Sequence, residues 1–209
     1  MTGYDPHCRA CPRLAGFLER VRTKYPTYWA RPVAPFGDPA AWLLIVGLAP
    51  GLHGANRSGR PFTGDHAGIL LYDTLHRFGF ASAATSVDVA DGLQLTGCRI
   101  TNAVKCLPPQ NKPEPAEVRQ CNHFLAAELA ELPAGASLLA LGTVAHASIL
   151  RGLDLPARTA VFSHGACHVL PNGMRLYDSY HCSRYNTQTR RLTDDMFRAV
   201  FARIVTDRV

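Results

Sequence analysis

Residues 41–46, Ala-Trp-Leu-Leu-Ile-Val, are apolar without interruption, and the run stops at Gly47-Leu-Ala-Pro-Gly51. A strand with one wet face alternates apolar and polar residues, whereas a short unbroken run belongs to a strand covered on both faces, as in the middle of a parallel sheet. The stretch that follows carries Gly51, Gly54, Gly59, Pro61 and Gly64, too many breakers for regular structure, so a long loop is expected at the strand's C-terminal end.

The same strand-then-helix pattern repeats downstream. Residues 66–78 space Ile69, Leu70, Leu71, Leu75 and Phe78 as one helical face behind Asp65, a suitable N-cap. Residues 98–104 read as a strand, 115–132 as a helix, 137–141 as a strand, 143–150 as a helix, 174–179 as a short strand and 194–205 as a final amphipathic helix. Such alternation predicts a doubly wound three-layer α/β/α fold around a central, mostly parallel, four-stranded sheet. At 209 residues the chain is expected to form a single domain over 1–209. Ligands of such sheets sit beyond the carboxyl ends of the strands. The segments 47–65, 102–106 and 179–186 all follow or end expected strands, so they are expected to converge on one site. Only residues 25–39 read as a loose connector.

No run of about 18 apolar residues is present to span a bilayer, and residues 1–13 lack a basic start followed by an apolar stretch. The expectation is a soluble cytoplasmic protein without a membrane partner. The net charge is +6, from 19 Arg and 3 Lys against 16 acidic residues, a balance that suits nucleic acid without proving it.

Seven cysteines are unusual for a cytoplasmic chain, where disulfides are rare and paired spacings mean metal or redox chemistry. Cys8 and Cys11 form a Cys-x2-Cys pair; Cys106 ends a strand and Cys121 lies in a helix. Four thiolates suit either structural zinc or an iron-sulfur cluster, and spacing does not separate the two. Cys98 and Cys167 read as core residues, and Cys182 stands in a polar loop.

The segment GLAPGLHGANRSGRPFTGD over residues 47–65 closely resembles the first motif of the family 5, broad-specificity branch of the uracil-DNA glycosylase superfamily. SYHCSRYN over residues 179–186, followed by Leu192 and Thr193, resembles that family's second motif, and TNAVKC over 101–106 its base-recognition strand. The resemblance implies a monofunctional glycosylase that removes uracil from DNA, extending to hypoxanthine or modified uracils, and leaves an abasic site for base excision repair. It also implies a [4Fe-4S] cluster on Cys8, Cys11, Cys106 and Cys121, and a monomer with uracil-containing DNA as its partner.

Breaking an N-glycosidic bond leaves negative charge on the departing base, which must first be lifted out of the duplex. By the resemblance, His181 donates to the uracil O2 as that charge develops, Phe62 stacks on the flipped base, and Asn102 meets its Watson-Crick edge or places the water. Phe62 lies in a loop where a ring has little helical or strand core to join. Gly47 and Ala49 are expected to bring backbone close to the base. Family 4 relatives carry a glutamate where this chain has Leu48, so Asp65 is the residue expected to hold the water. His53, Asn56 and Arg57 in the first motif, and Ser183, Arg184, Tyr185 and Asn186 in the second, are the expected DNA contacts. Cys182 replaces the family's usual proline there. No lysine lies in either motif; Lys24, Lys105 and Lys112 are the chain's three, so simple hydrolysis is expected instead of a Schiff-base step. The competing reading is a metal-stabilised DNA-binding module without catalysis.

Overall fold

In the computed structural model, which describes residues 4–208, the elements follow in the order α1 (Pro12–Lys24), β1 (Phe36–Gly37), β2 (Leu43–Gly47), α2 (Ala55–Ser58), α3 (His66–Arg77), β3 (Cys98–Asn102), α4 (Pro115–Ala130), β4 (Ser137–Leu141), α5 (Thr143–Gly152), β5 (Cys167–Val169), β6 (Arg175–Ser179), α6 (Arg184–Gln188) and α7 (Asp194–Thr206). The sheet order is β1-β3-β2-β4-β6-β5. The four inner strands are mutually parallel, while β1 and β5 run antiparallel at the two edges. The expected four-stranded sheet is therefore a six-stranded one. The two added strands are two and three residues long, too short to carry any periodicity.

The unbroken apolar run of β2 is explained by the layers on either side. Leu43 and Ile45 point into a core with Leu71 and Leu75 of α3 and Phe197, Val200 and Phe201 of α7. Leu44 and Val46 point the other way, against Leu125 and Leu129 of α4 and Ala145 and Ile149 of α5. Each face thus buries full side chains, at about 1.5–3 kcal/mol apiece. Helix α1 is absent from the sequence-based expectation, although Leu14, Leu18 and Val21 form its buried stripe. It packs beside the segment after β3 and the start of α4, through Val104, Leu107 and Phe124. Arg13 of α1 clamps it there with a bidentate pair of hydrogen bonds to Glu117 of α4, at 2.8 and 2.7 Å. Among the described residues no helix is long and apolar enough to cross a membrane.

The entry to α3 fixes the loop in front of it. Asp65 caps the helix by accepting the Gly68 N–H at 2.9 Å, and a side chain at Gly68 would collide with the Phe62 carbonyl. Replacing a helical glycine by alanine ordinarily favours the helix by up to about 1 kcal/mol. Here Gly68→Ala is expected to lower the thermal unfolding midpoint, because the Phe62 backbone must move; an unchanged or raised midpoint would mean the loop yields freely.

Candidate active site

Strands β2 and β3 pair in parallel with Gly47 opposite Asn102 at their carboxyl ends. A Cβ on Gly47 would lie 2.5 Å from Asn102 Oδ1 and 2.6 Å from Phe62 Cζ, so only glycine lets the ring and the amide share that space. Phe62 itself has φ of +54°, the left-handed region that a side-chain-bearing residue adopts only when packing enforces it. Contrary to the expectation that its loop offers little core, the ring is 5% exposed and packs in the cluster built on α3 and α7. It faces the His181 imidazole at 5.8 Å between centroids, with the planes 27° apart.

Phe62, Asn102 and His181 come from the β2–α3 loop, the end of β3 and the loop after β6, and all three line one cavity of about 460 Å³. Ala49 and Asp65 join them, and Ser183 and Arg184 stand in the wall as well. Gly47 lies behind the wall. The sequence reading missed several wall residues. Leu48 fills wall space where family 4 has its acid, and Gly142, Thr143 and Val144 follow the carboxyl end of β4. The rule that ligands sit beyond parallel strand ends was the signal for the latter.

Burial pushes the His181 imidazole down to about 4, so it is neutral at pH 7 and keeps one N–H to donate. No group among the described residues bonds its ring nitrogens, and its backbone carbonyl is fixed by the Asn186 side-chain amide at 2.8 Å. The Asn102 side chain also has no protein partner and faces the cavity. Asp65 both caps α3 and lines the cavity. Burial raises its carboxyl above the ordinary aspartate value, partly offset by the N–H groups of Gly68 and Ala67. Gly54 provides the room, since a Cβ there would meet the Asp65 carboxyl carbon at 2.7 Å.

Of the expected DNA contacts, His53 and Arg57 are exposed beside the cavity loop. The Tyr28 hydroxyl holds His53 Nδ1 at 2.9 Å, and Arg57 Nε donates to the His53 carbonyl at 2.9 Å. Tyr185 is 70% exposed. Two of the residues are placed differently from the rest. Asn56, on the inner side of α2, is 0% exposed, so its side chain is not at the surface. Asn186, half-buried, donates one side-chain N–H to the His181 carbonyl and so supports the histidine. Cys182, expected in a polar loop, is wholly buried in the α3–α7 core.

Cys8, Cys11, Cys106 and Cys121 line a second, small cavity on the far side of the segment after β3. Among the described residues they do not converge as a group that holds a single metal ion. Burial and then the neighbouring sulfurs raise the Cys106 thiol, and burial with Cys121 next raises Cys11 to about 11. The Cys121 sulfur accepts the Lys105 backbone N–H at 3.3 Å.

Comparison with known proteins agrees with this geometry. The family model described as the uracil DNA glycosylase superfamily matches residues 34–205. The chain is 48% identical to a type-5 uracil-DNA glycosylase of Thermus thermophilus, over 92% of this chain and 90% of that protein. It is 45% identical to the type-5 uracil-DNA glycosylase of Mycobacterium leprae, over 91% of this chain and 89% of the other. With the type-5 uracil-DNA glycosylase of Mycobacterium bovis the identity is 44%, over 91% and 76% respectively. A family model spanning most of the chain, relatives aligned over nine-tenths of it and three motif loops meeting in one cavity lead to one assignment: the chain belongs to the uracil-DNA glycosylase superfamily.

Proposed function

We propose that this protein is a monofunctional glycosylase that hydrolyses the N-glycosidic bond of uracil in DNA and leaves an abasic site. The observation that carries this reading is the meeting of Phe62, Asn102 and His181 in one cavity. A flipped base entering it finds a ring to stack on, an amide able both to donate and to accept, and a neutral imidazole to donate to the leaving oxygen. A neutral donor suits this work, since it strengthens as negative charge grows and demands no proton transfer in advance. Asp65, whose carboxyl burial raises above the ordinary aspartate value, is the group that orients the attacking water. No lysine lines the cavity, which supports hydrolysis over a covalent lyase step.

The apolar wall at Leu48, Ala55 and Ala67 carries no group that would reject a larger or substituted base, so hypoxanthine and modified uracils belong to the proposed range. The cavity is complete within one chain, which supports action as a monomer, and reduced cysteines with a DNA substrate fit the cytoplasm.

The four cysteines are proposed to hold a [4Fe-4S] cluster. They surround a cavity without converging on one ion. Buried thiols whose neighbours raise one another ionise together only around a cationic group. When bound, such a group ties α1 to α4 through its thiolates. Cys8 and Cys11 anchor the chain ahead of α1, and the Lys105 N–H donates to the Cys121 sulfur as expected of a ligand's hydrogen-bonding surroundings.

The protein incubated with a uracil-containing duplex is expected to yield strand breaks only after alkali. His181→Ala should slow single-turnover release about 10²- to 10³-fold while DNA affinity is largely kept; full activity in that variant sinks the reading. Asp65→Asn keeps an oxygen for the helix cap and removes only the charge, so the rate should fall by about 10² or more with little change in melting temperature. In the unsubstituted protein the rate should fall on acidification through a midpoint above the ordinary aspartate value. It should show no inflection near pH 6.5, because His181 stays neutral there. Protein purified without air should be brown with broad visible absorbance, and Cys106→Ser should bleach it and lower the melting temperature; colourless zinc-bearing protein would exclude the cluster.

A further inference from the structure

Directly beneath the base-recognition strand lies a charged pair that the chemistry above does not use. Lys105 and Glu128 are each 1% exposed, with Nζ and Oε1 2.7 Å apart. The Lys105 ammonium also donates to Thr101 Oγ1 at 2.5 Å and to the Asn102 main-chain carbonyl at 3.0 Å. Both hydrogen bonds of the ammonium thus go to the last two residues of β3, and the contact with Glu128 is an ion pair. Glu128, from the last turn of α4, pairs with Lys105 by charge and accepts no hydrogen bond among the described residues.

Stability alone does not account for such a pair. Two buried charges surrender their hydration, and apolar side chains of similar volume are commonly as stable in the same place. The pair does supply direction. Beyond Asn102 the chain leaves the sheet, held by Ala103 N–H on the Gly47 carbonyl at 2.9 Å and Val104 N–H on the Leu48 carbonyl at 3.0 Å. Its course then turns so that Lys105 reaches back under its own strand end. The Asn102 carbonyl is gripped by a full charge, and its side chain on the other side faces the cavity. Rotation of that peptide would swing the amide off the Gly47 gap.

We propose that Lys105, with Glu128 as its fixed counter-charge, is a positioning residue that sets the direction of the Asn102 amide toward the base. This deepens the proposed function and rests on its assignment of Asn102 to the base. Lys105 touches neither base nor sugar. It acts through the peptide that carries Asn102, and its burial excludes it as a nucleophile.

A double-mutant cycle tests the assignment. Lys105→Met is expected to lower single-turnover release at saturating DNA by about 10- to 100-fold, the cost of misplacing a reacting group by about an ångström, with KM unchanged. In an Asn102→Ala background the same substitution should cost no further rate. An equal loss in both backgrounds overturns the proposal, because Lys105 would then act independently of Asn102. Lys105→Met leaves Glu128 unpaired and the chain may be unable to fold, so the doubly apolar Lys105→Met with Glu128→Leu removes both charges and is measured in parallel; full rate in that variant overturns the proposal. Visible absorbance of each variant reports whether the cysteine site is intact. A crystal structure of the doubly apolar variant gives a readout that needs no activity and so separates this inference from the functional reading. The Asn102 amide should have turned from the cavity, and an unmoved amide refutes the positioning role.

Discussion

The absence of a side chain at Gly47 is the constraint on which the site depends. Parallel pairing of β2 with β3 sets Gly47 opposite Asn102, and a loop forced into a left-handed turn at Phe62 brings an aromatic edge into the same gap. A methyl group there would part the ring from the amide. The glycines at 54 and 68 do related work, one making room for the Asp65 carboxyl and the other for the Phe62 carbonyl. The first motif is thus a set of close approaches, with its glycines standing where backbone or functional side chains must come nearer than a Cβ permits.

Around this gap the fold keeps its polar groups fixed. Arg60, 4% exposed, bonds Thr63 Oγ1 at 2.9 Å and the Ser86 hydroxyl at 2.7 Å, and pairs with Asp91 at 2.5 Å. The Arg60 guanidinium in turn holds the Asp91 carboxyl far below the usual carboxylate range. The Phe62 loop is therefore pinned from outside by a charge pair as well as from inside by packing. His181 is held by its carbonyl and left free at its ring. A rigid backbone bearing an unengaged ring is what preorganised stabilisation of a developing anion requires.

Much of this was legible in the sequence, for identifiable reasons. The strands β2 and β4 announced themselves because they are covered on both faces and carry almost nothing polar, Ser137 at the start of β4 being the exception. The helices α3, α4, α5 and α7 were found to within about two residues at most ends, as each lays an apolar stripe on one side of the sheet. What escaped had no local signal. Edge strands of two or three residues carry no period, and α1 has its stripe but begins at Pro12, directly after a cysteine pair that reads as metal chemistry. Asn56 and Asn186 illustrate a different limit. A motif says which residues accompany a function, not which of them face the ligand; one amide is buried and the other is tied to a carbonyl. Likewise Lys105 could be excluded as a nucleophile from its place outside the motifs, while its grip on Asn102 required the chain's course after β3.

The borders of the sheet have a consequence of their own. Two of the inner strands, β2 and β4, are almost wholly apolar, the kind of segment that polymerises when its hydrogen-bonding flank is free. Here neither flank is free for any length, because β1 offers two residues and β5 three. Gly37, at the end of β1, has φ of +133°, a conformation that breaks the extended line a second molecule would need. Brevity at the rim is thus a guard against fibre growth, and lengthening either border strand by design would invite edge-to-edge association.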